Sequence, residues 1–283
     1  MRWQMSRRSS NVEDRRGIGV PKAGGIGCLG IVVVIVIAYL TGSNPLELLQ
    51  QVGTDTSTQV QERSSPSTGT DADGLFVRHI LGSTEDAWSQ VFASNGLQYE
   101  PPTLVLFENA VSSACGFNSA AVGPFYCPPD QKVYLDLSFF HQLSSQFGAS
   151  GDFARAYVIA HEVGHHVQNL LGISEQIDRA RRDAGERESN ALSVLQELQA
   201  DCFAGVWGHY ANQKERVLEP GDIEDGLNAA ESIGDDLIQK RSQGYVNRDS
   251  FTHGTSQQRA YWLRRGLETG RVDSCNTLQA GAQ

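Results

Sequence analysis

The sequence predicts an α+β domain with a small N-terminal sheet and a mostly helical C-terminal part, carried on a single N-terminal transmembrane helix. Three observations lead there. An uncharged run of twenty residues lies close to the start, two short β-rich segments fall in the first half, and amphipathic helical patterning dominates from residue 152 onward. The 283 residues suffice for one sizeable domain with appendages.

Residues 1–22 carry six positive side chains (Arg2, Arg7, Arg8, Arg15, Arg16, Lys22) and two negative ones (Glu13, Asp14), a net of +4 in a chain of net −10. The remainder is therefore at −14 and has no basic run, which argues against nucleic acid as a partner. AGGIGCLGIVVVIVIAYLTG at 23–42 has the roughly 20 apolar residues that a helix needs to cross a lipid bilayer. Arginines precede it and none follow closely, so residues 1–22 are expected in the cytoplasm and the main body outside it, periplasmic or extracellular. A cleavable signal peptide is the alternative, but its apolar region would be shorter, and no A-x-A-like site follows Ala38. Residues 43–74 are rich in Ser, Thr, Asp and Gln and cannot bury enough surface to offset their ordering entropy. They read as a flexible tether, leaving 75–283 as the folded domain.

Within that domain STEDAWSQVFASNG (83–96) begins on a capping residue, has acids in its first turn and ends at Asn-Gly, as a helix would. TLVLF (103–107) and KVYLDL (132–137) are β-rich and bounded by breakers, so they are expected strands. The second could be an edge strand along which an extended substrate pairs, the alternative being an ordinary sheet strand. Helices are expected over 152–171, 174–183, 187–213, 222–242 and 255–269. Four cysteines lie beyond the apolar run, and outside the cytoplasm they are free to pair in three ways. The expected pairing is Cys115–Cys127, closing GFNSAAVGPFY, with Cys202–Cys275, stapling the C-terminus to a core helix. The competing reading makes Cys202 a small buried hydrophobe.

The chemistry is concentrated in AYVIAHEVGHHVQNLL (156–171). On a helix, residues four apart share a face, because each step turns about 100°. His161 and His165 therefore point the same way, His166 points elsewhere, and Ala156, Ile159, Val163, Val167 and Leu170 form an apolar stripe on the opposite side. Glu162 stands beside the first imidazole. This is the H-E-x-x-H arrangement, two metal ligands and a glutamate placed as general base. The alternatives for the histidines alone are satisfied core groups or surface residues, and His166 is expected to be structural.

A catalytic zinc takes three protein ligands and keeps one position open. QELQADCFAG (196–205) supplies the third: Glu197 and Asp201 are four apart on a strongly apolar helix, where paired carboxylates need a cation or hydrogen bonds. Glu197 is the expected ligand, and Asp201 is expected to fix the tautomer of a ligand imidazole. The plain alternative is a pair of exposed helix acids.

HEVGH followed some thirty residues on by ELQAD resembles the gluzincin peptidases, in which an E-x-x-x-D helix supplies the third ligand and the supporting acid. More closely, the chain resembles the predicted neutral zinc metallopeptidase family of bacteria. The Arg-rich start with its single apolar segment, ACGFNSAAVGPFYCPPDQKVYLDLSFF, HEVGHHVQ, ELQADCFAGVW and FTHGTSQQRAYW carry that likeness. It implies a zincin-like fold, one Zn²⁺ per chain, a polypeptide substrate and extracytoplasmic placement. FTHGTSQQR resembles the T-H-P…R element of membrane-bound gluzincins, with Gly254 in place of proline, and makes His253 the candidate oxyanion donor and Arg259 a structural ion-pair partner. Asp235 and Asp236 read as surface or bracing acids. The rival functional readings are a catalytically inactive, zinc-braced scaffold at the membrane and a zinc amidase acting on cell-wall peptide.

Overall fold

In the computed structural model, residues 1–17 and 71–280 are described. The apolar run 23–42 and all but the end of the tether lie outside them. Among the described residues no helix is long and apolar enough to cross a membrane.

The first helix, α1, runs from Ala72 to Ser94, capped by the Asp71 carboxylate, which accepts the Gly74 N–H. The expected start at Ser83 is too late by eleven residues. Ser83 is buried in mid-helix, where its hydroxyl accepts the Trp207 indole N–H at 3.0 Å. Gly82, which reads as a breaker, is instead a point of close approach: a Cβ there would stand 2.3 Å from the Arg7 carbonyl oxygen.

The Arg7 contact marks a larger departure. Residues 1–17, expected as a separate cytoplasmic segment, pack onto the domain. Val12–Asp14 form strand β1, paired in parallel with β2 (Thr103–Phe107). The Arg7 guanidinium meets Glu85 and Asp86 on α1, and the Trp3 indole donates to Asp152 at 3.1 Å. Arg7 and Arg16, which look like part of a topology signal, are here counter-ions for Glu85, Asp86 and Asp71.

A hairpin follows, β3 (Ala110–Ser113) and β4 (Gly116–Ser119), then β5 (Phe125–Cys127) and β6 (Lys132–Asp136). The four-stranded sheet has the order β1-β2-β6-β5, with β5 antiparallel to β6 and the other pairs parallel. KVYLDL is thus an interior strand, not an edge. Val133, Tyr134, Leu135 and Asp136 are all buried, the unbroken pattern of a strand covered on both faces. The edges are β1 and the short β5.

The helical part comprises α2 (Ser138–Ser145), α3 (Asp152–Leu170), α4 (Ile173–Arg182), α5 (Glu186–Glu215), α6 (Asp222–Ser232), α7 (Asp235–Gln243), α8 (Ser256–Thr269) and the short α9 (Thr277–Ala280). Helix α2 was not anticipated, and the single helix expected over 222–242 is two, divided at Ile233–Gly234. The core joins α1, α3 and α5: Trp88 meets Phe203 edge-on at 5.4 Å, and Phe153 stacks on Trp207 at 5.9 Å. The cysteines pair as Cys115–Cys127 and Cys202–Cys275. The first ties the β3–β4 hairpin to the edge strand, and the second ties the segment after α8 to α5.

Candidate metal centre

Helix α3 buries Ala156, Ile159, Val163 and Val167 completely, with Leu170 partly buried at the end of that stripe. The two ligand candidates face the other way, toward α5. Gly164 lies against α5 so closely that a Cβ would come within 2.9 Å of the Ala200 carbonyl oxygen. That contact leaves Glu197, one turn back on α5, opposite the two imidazoles.

His161 Nε2 is 3.1 Å from Glu197 Oε2, and His165 Nε2 is 3.3 Å from Glu197 Oε1. One ligand atom from each of the three residues lies within 4.8 Å of the others. Each imidazole has its second nitrogen committed elsewhere. His161 Nδ1 is 2.8 Å from Asp201 Oδ1, and His165 Nδ1 is 2.9 Å from Gln168 Oε1. Both Nδ1 positions act as N–H donors there, so both Nε2 atoms face the shared space. Gln168 itself is anchored through its amide N–H to the Gln196 carbonyl and to Gln199.

Asp201 is the hub behind the site. It has no exposure to solvent, accepts the Tyr157 hydroxyl at 2.6 Å, and takes two bonds from Arg259 at 2.9 Å. Burial alone would raise its proton affinity, but Arg259 and His161 outweigh burial and hold Asp201 below its ordinary value. Burial likewise opposes charge on His161, yet Asp201 and Glu197 push it up to about 10. His165 is raised by Glu197 against the same burial penalty, and Glu197 is held well below the usual carboxylate range by the two imidazoles. Without a cation, the cluster is a buried site that gathers protons onto its imidazoles to balance a carboxylate.

A divalent cation replaces those protons with one charge at one point. Two imidazole nitrogens and a carboxylate are the donor set that zinc accepts, and the supporting bonds already fix both tautomers. The residues fit the metal.

Glu162 lines the same cleft and is buried, and among the described residues no hydrogen bond holds its carboxylate. Burial raises its proton affinity, with His161 and His165 partly offsetting that. His166, as expected, stands apart: it is fully buried, with Nδ1 3.0 Å from the Tyr126 hydroxyl and Nε2 2.7 Å from the Glu100 carbonyl. The cleft, a cavity of about 580 Å³, runs between the β5 side and α7.

His253 lines that cleft from the loop before α8. Its Nδ1 is 3.2 Å from Asp235 Oδ1, while Asp235 Oδ2 accepts the backbone N–H groups of Thr252, His253 and Gly254. The bond from Asp235 more than offsets burial and raises the proton affinity of His253. Two residues of the site escaped the sequence reading in their full role. Asp235 was read as no more than a brace, and Gln168, three residues after His165, carries only the spacing as a clue. Arg259 is the buried ion-pair partner that was expected.

The fold brings the two histidines of an H-E-x-x-H helix together with a carboxylate from a neighbouring helix. Over residues 1–278 the chain matches the family described as "Putative neutral zinc metallopeptidase", and it belongs to that family. It is 47% identical over 284 residues to "Uncharacterized protein YpfJ" of Escherichia coli (strain K12), covering 98% of this chain and 99% of that one. It is 40% identical over 259 residues to "Uncharacterized protein Rv2575" of Mycobacterium tuberculosis (strain H37Rv), covering 86% of this chain and 85% of the relative. No solved structure matches it.

Proposed function

We propose that the protein is an extracytoplasmic, membrane-attached zinc endopeptidase. The observation that carries this reading is the convergence of His161, His165 and Glu197 within 4.8 Å, in a cleft that Glu162 also lines. Zinc held there would acidify a water and polarise the scissile carbonyl. Glu162 has the position and the unengaged carboxylate to take the proton from that water and pass it to the departing amine. Its raised proton affinity suits a group that must hold a proton between two steps. Across the cleft, His253, whose proton affinity Asp235 raises, would donate to the oxygen that becomes negative as the carbonyl is attacked.

Among the described residues the edge strand β5 pairs on one side, and an extended polypeptide laid along the other would meet the cleft that Phe125 and Tyr126 line. The two disulfides support placement of the domain outside the cytoplasm. The run 23–42 supplies the attachment to the bilayer.

The test compares wild type and Glu162→Gln for peptide cleavage at equal zinc occupancy. A loss of roughly 10²–10⁴-fold is expected for a general base. Equal rates, including zero for both, would turn the reading toward a zinc-braced scaffold.

A further inference from the structure

The N-terminal segment is built into the fold. Strand β1 shares a parallel ladder with β2, extended by bonds from Leu104 N–H to the Asn11 carbonyl and from Arg15 N–H to the Leu106 carbonyl, both 2.8 Å. The Val12 side chain is part of the main core. Glu85, only 3% exposed, is satisfied entirely from this segment: Arg7 through its guanidinium, Ser9 through its hydroxyl at 2.6 Å and Asn11 through its amide at 2.8 Å. Asp86 takes Arg7 at 2.6 Å. Pulling the segment away would strand a buried carboxylate and open the edge of β2, both unfavourable.

The chain then leaves the domain and returns to it at one place. Arg16 Nη1 is 2.8 Å from Asp71 Oδ2, the cap of α1. Between these two paired residues lies the apolar run 23–42. A single crossing of a bilayer would set the residues before and after it on opposite faces of a hydrocarbon core about 30 Å thick. An ion pair at the junction cannot bridge that distance.

We propose that residues 1–16 are the resident partner of this acidic face and lie on the same side of the bilayer as the metallopeptidase domain. The basic segment is then a ligand of its own fold and not a cytoplasmic anchor. Which side that is rests on the proposed extracytoplasmic placement; that the two share a side does not.

The experiment uses the full chain in cells, in a Cys28→Ser background, with one new cysteine at either of two exposed positions, Gln4→Cys or Tyr245→Cys. Spheroplasts are treated with a membrane-impermeant maleimide before and after permeabilisation. The expected result is equal labelling of both variants before permeabilisation. Labelling of Tyr245→Cys before permeabilisation and of Gln4→Cys only afterwards overturns the proposal, as does the reverse. Labelling of both only after permeabilisation upholds the shared side and rejects the extracytoplasmic placement, so the two readings fail separately.

Discussion

Two carboxylate–histidine pairs border the cleft, and they are built differently. Asp201 holds His161 from behind, with no solvent exposure and with Arg259 and Tyr157 completing its bonds. Asp235 holds His253 at the rim, where the imidazole side chain is 51% exposed and no arginine stands behind the acid among the partners described. In the first pair the acid is locked by a cation, so it stays an acceptor and the imidazole is free only to aim its Nε2 lone pair inward. In the second the histidine is the only cation bonded to the acid, so the charge resides on the ring that faces the cleft. The difference separates two tasks that a carboxylate can perform for a histidine: fixing a ligand's geometry and fixing a donor's charge.

The largest effect should come from breaking the buried pair. Asp201→Leu leaves Arg259 buried without its partner, for which a loss of about 3–5 kcal/mol is expected in chemical denaturation. It should also weaken zinc affinity by roughly 10–100-fold, through the freed His161 ring. The double variant Asp201→Leu/Arg259→Met sharpens the distinction, because an apolar pair of suitable volume restores much of the stability. It should not restore the metal affinity. Recovery of both in the double variant would mean that Asp201 serves folding alone.

Gln168 offers an intermediate case, a neutral amide holding the second ligand ring at 2.9 Å. Gln168→Leu keeps the volume and removes the acceptor. Zinc affinity measured by competition with a chelator should fall by about tenfold, the lower end of what a lost supporting bond costs. A drop as large as that from Asp201 would show that charge on the supporting group is irrelevant, and the contrast between amide and carboxylate would go.

The faces that carry the metal cluster were readable from helical geometry, and the meeting of the two helices from the family resemblance. His161 with His165, and Glu197 with Asp201, need only a turn of about 100° per residue to share a face. The N-terminal strand was not readable, since Val12–Asp14 pairs with residues some ninety positions away and its arginines carry the same signal as a membrane flank. The start of α1 was missed for a related reason. A glycine in a helix reads as a terminus until the chain that crosses it, at Arg7, is known. The place of KVYLDL in the sheet was not readable, because a strand's own residues do not show which strands pair on either side of it, here β2 and β5. In each case the missing information was a partner far along the chain.

The rim pair gives the smallest expected effect and the most diagnostic one. In wild type, Asp235 raises the proton affinity of His253, so the ring remains cationic above the ordinary histidine value. If the cationic form is the donor, activity carries an alkaline limb as pH rises through that raised value. Asp235→Asn removes the charge while keeping acceptor oxygen for the backbone N–H groups of residues 252–254, so the loop should stay in place. The ring then returns toward about 6.5, and the alkaline limb should move to lower pH. At pH 7 kcat/KM should fall by about fourfold, equivalent to about 0.8 kcal/mol, with little change on the acid side where both forms are protonated. Zinc affinity should be unchanged, because no bond to His161, His165 or Glu197 is touched. A uniform fall at every pH would instead mean that Asp235 acts by placing the loop, and the two carboxylate–histidine pairs would then be doing the same job at different depths.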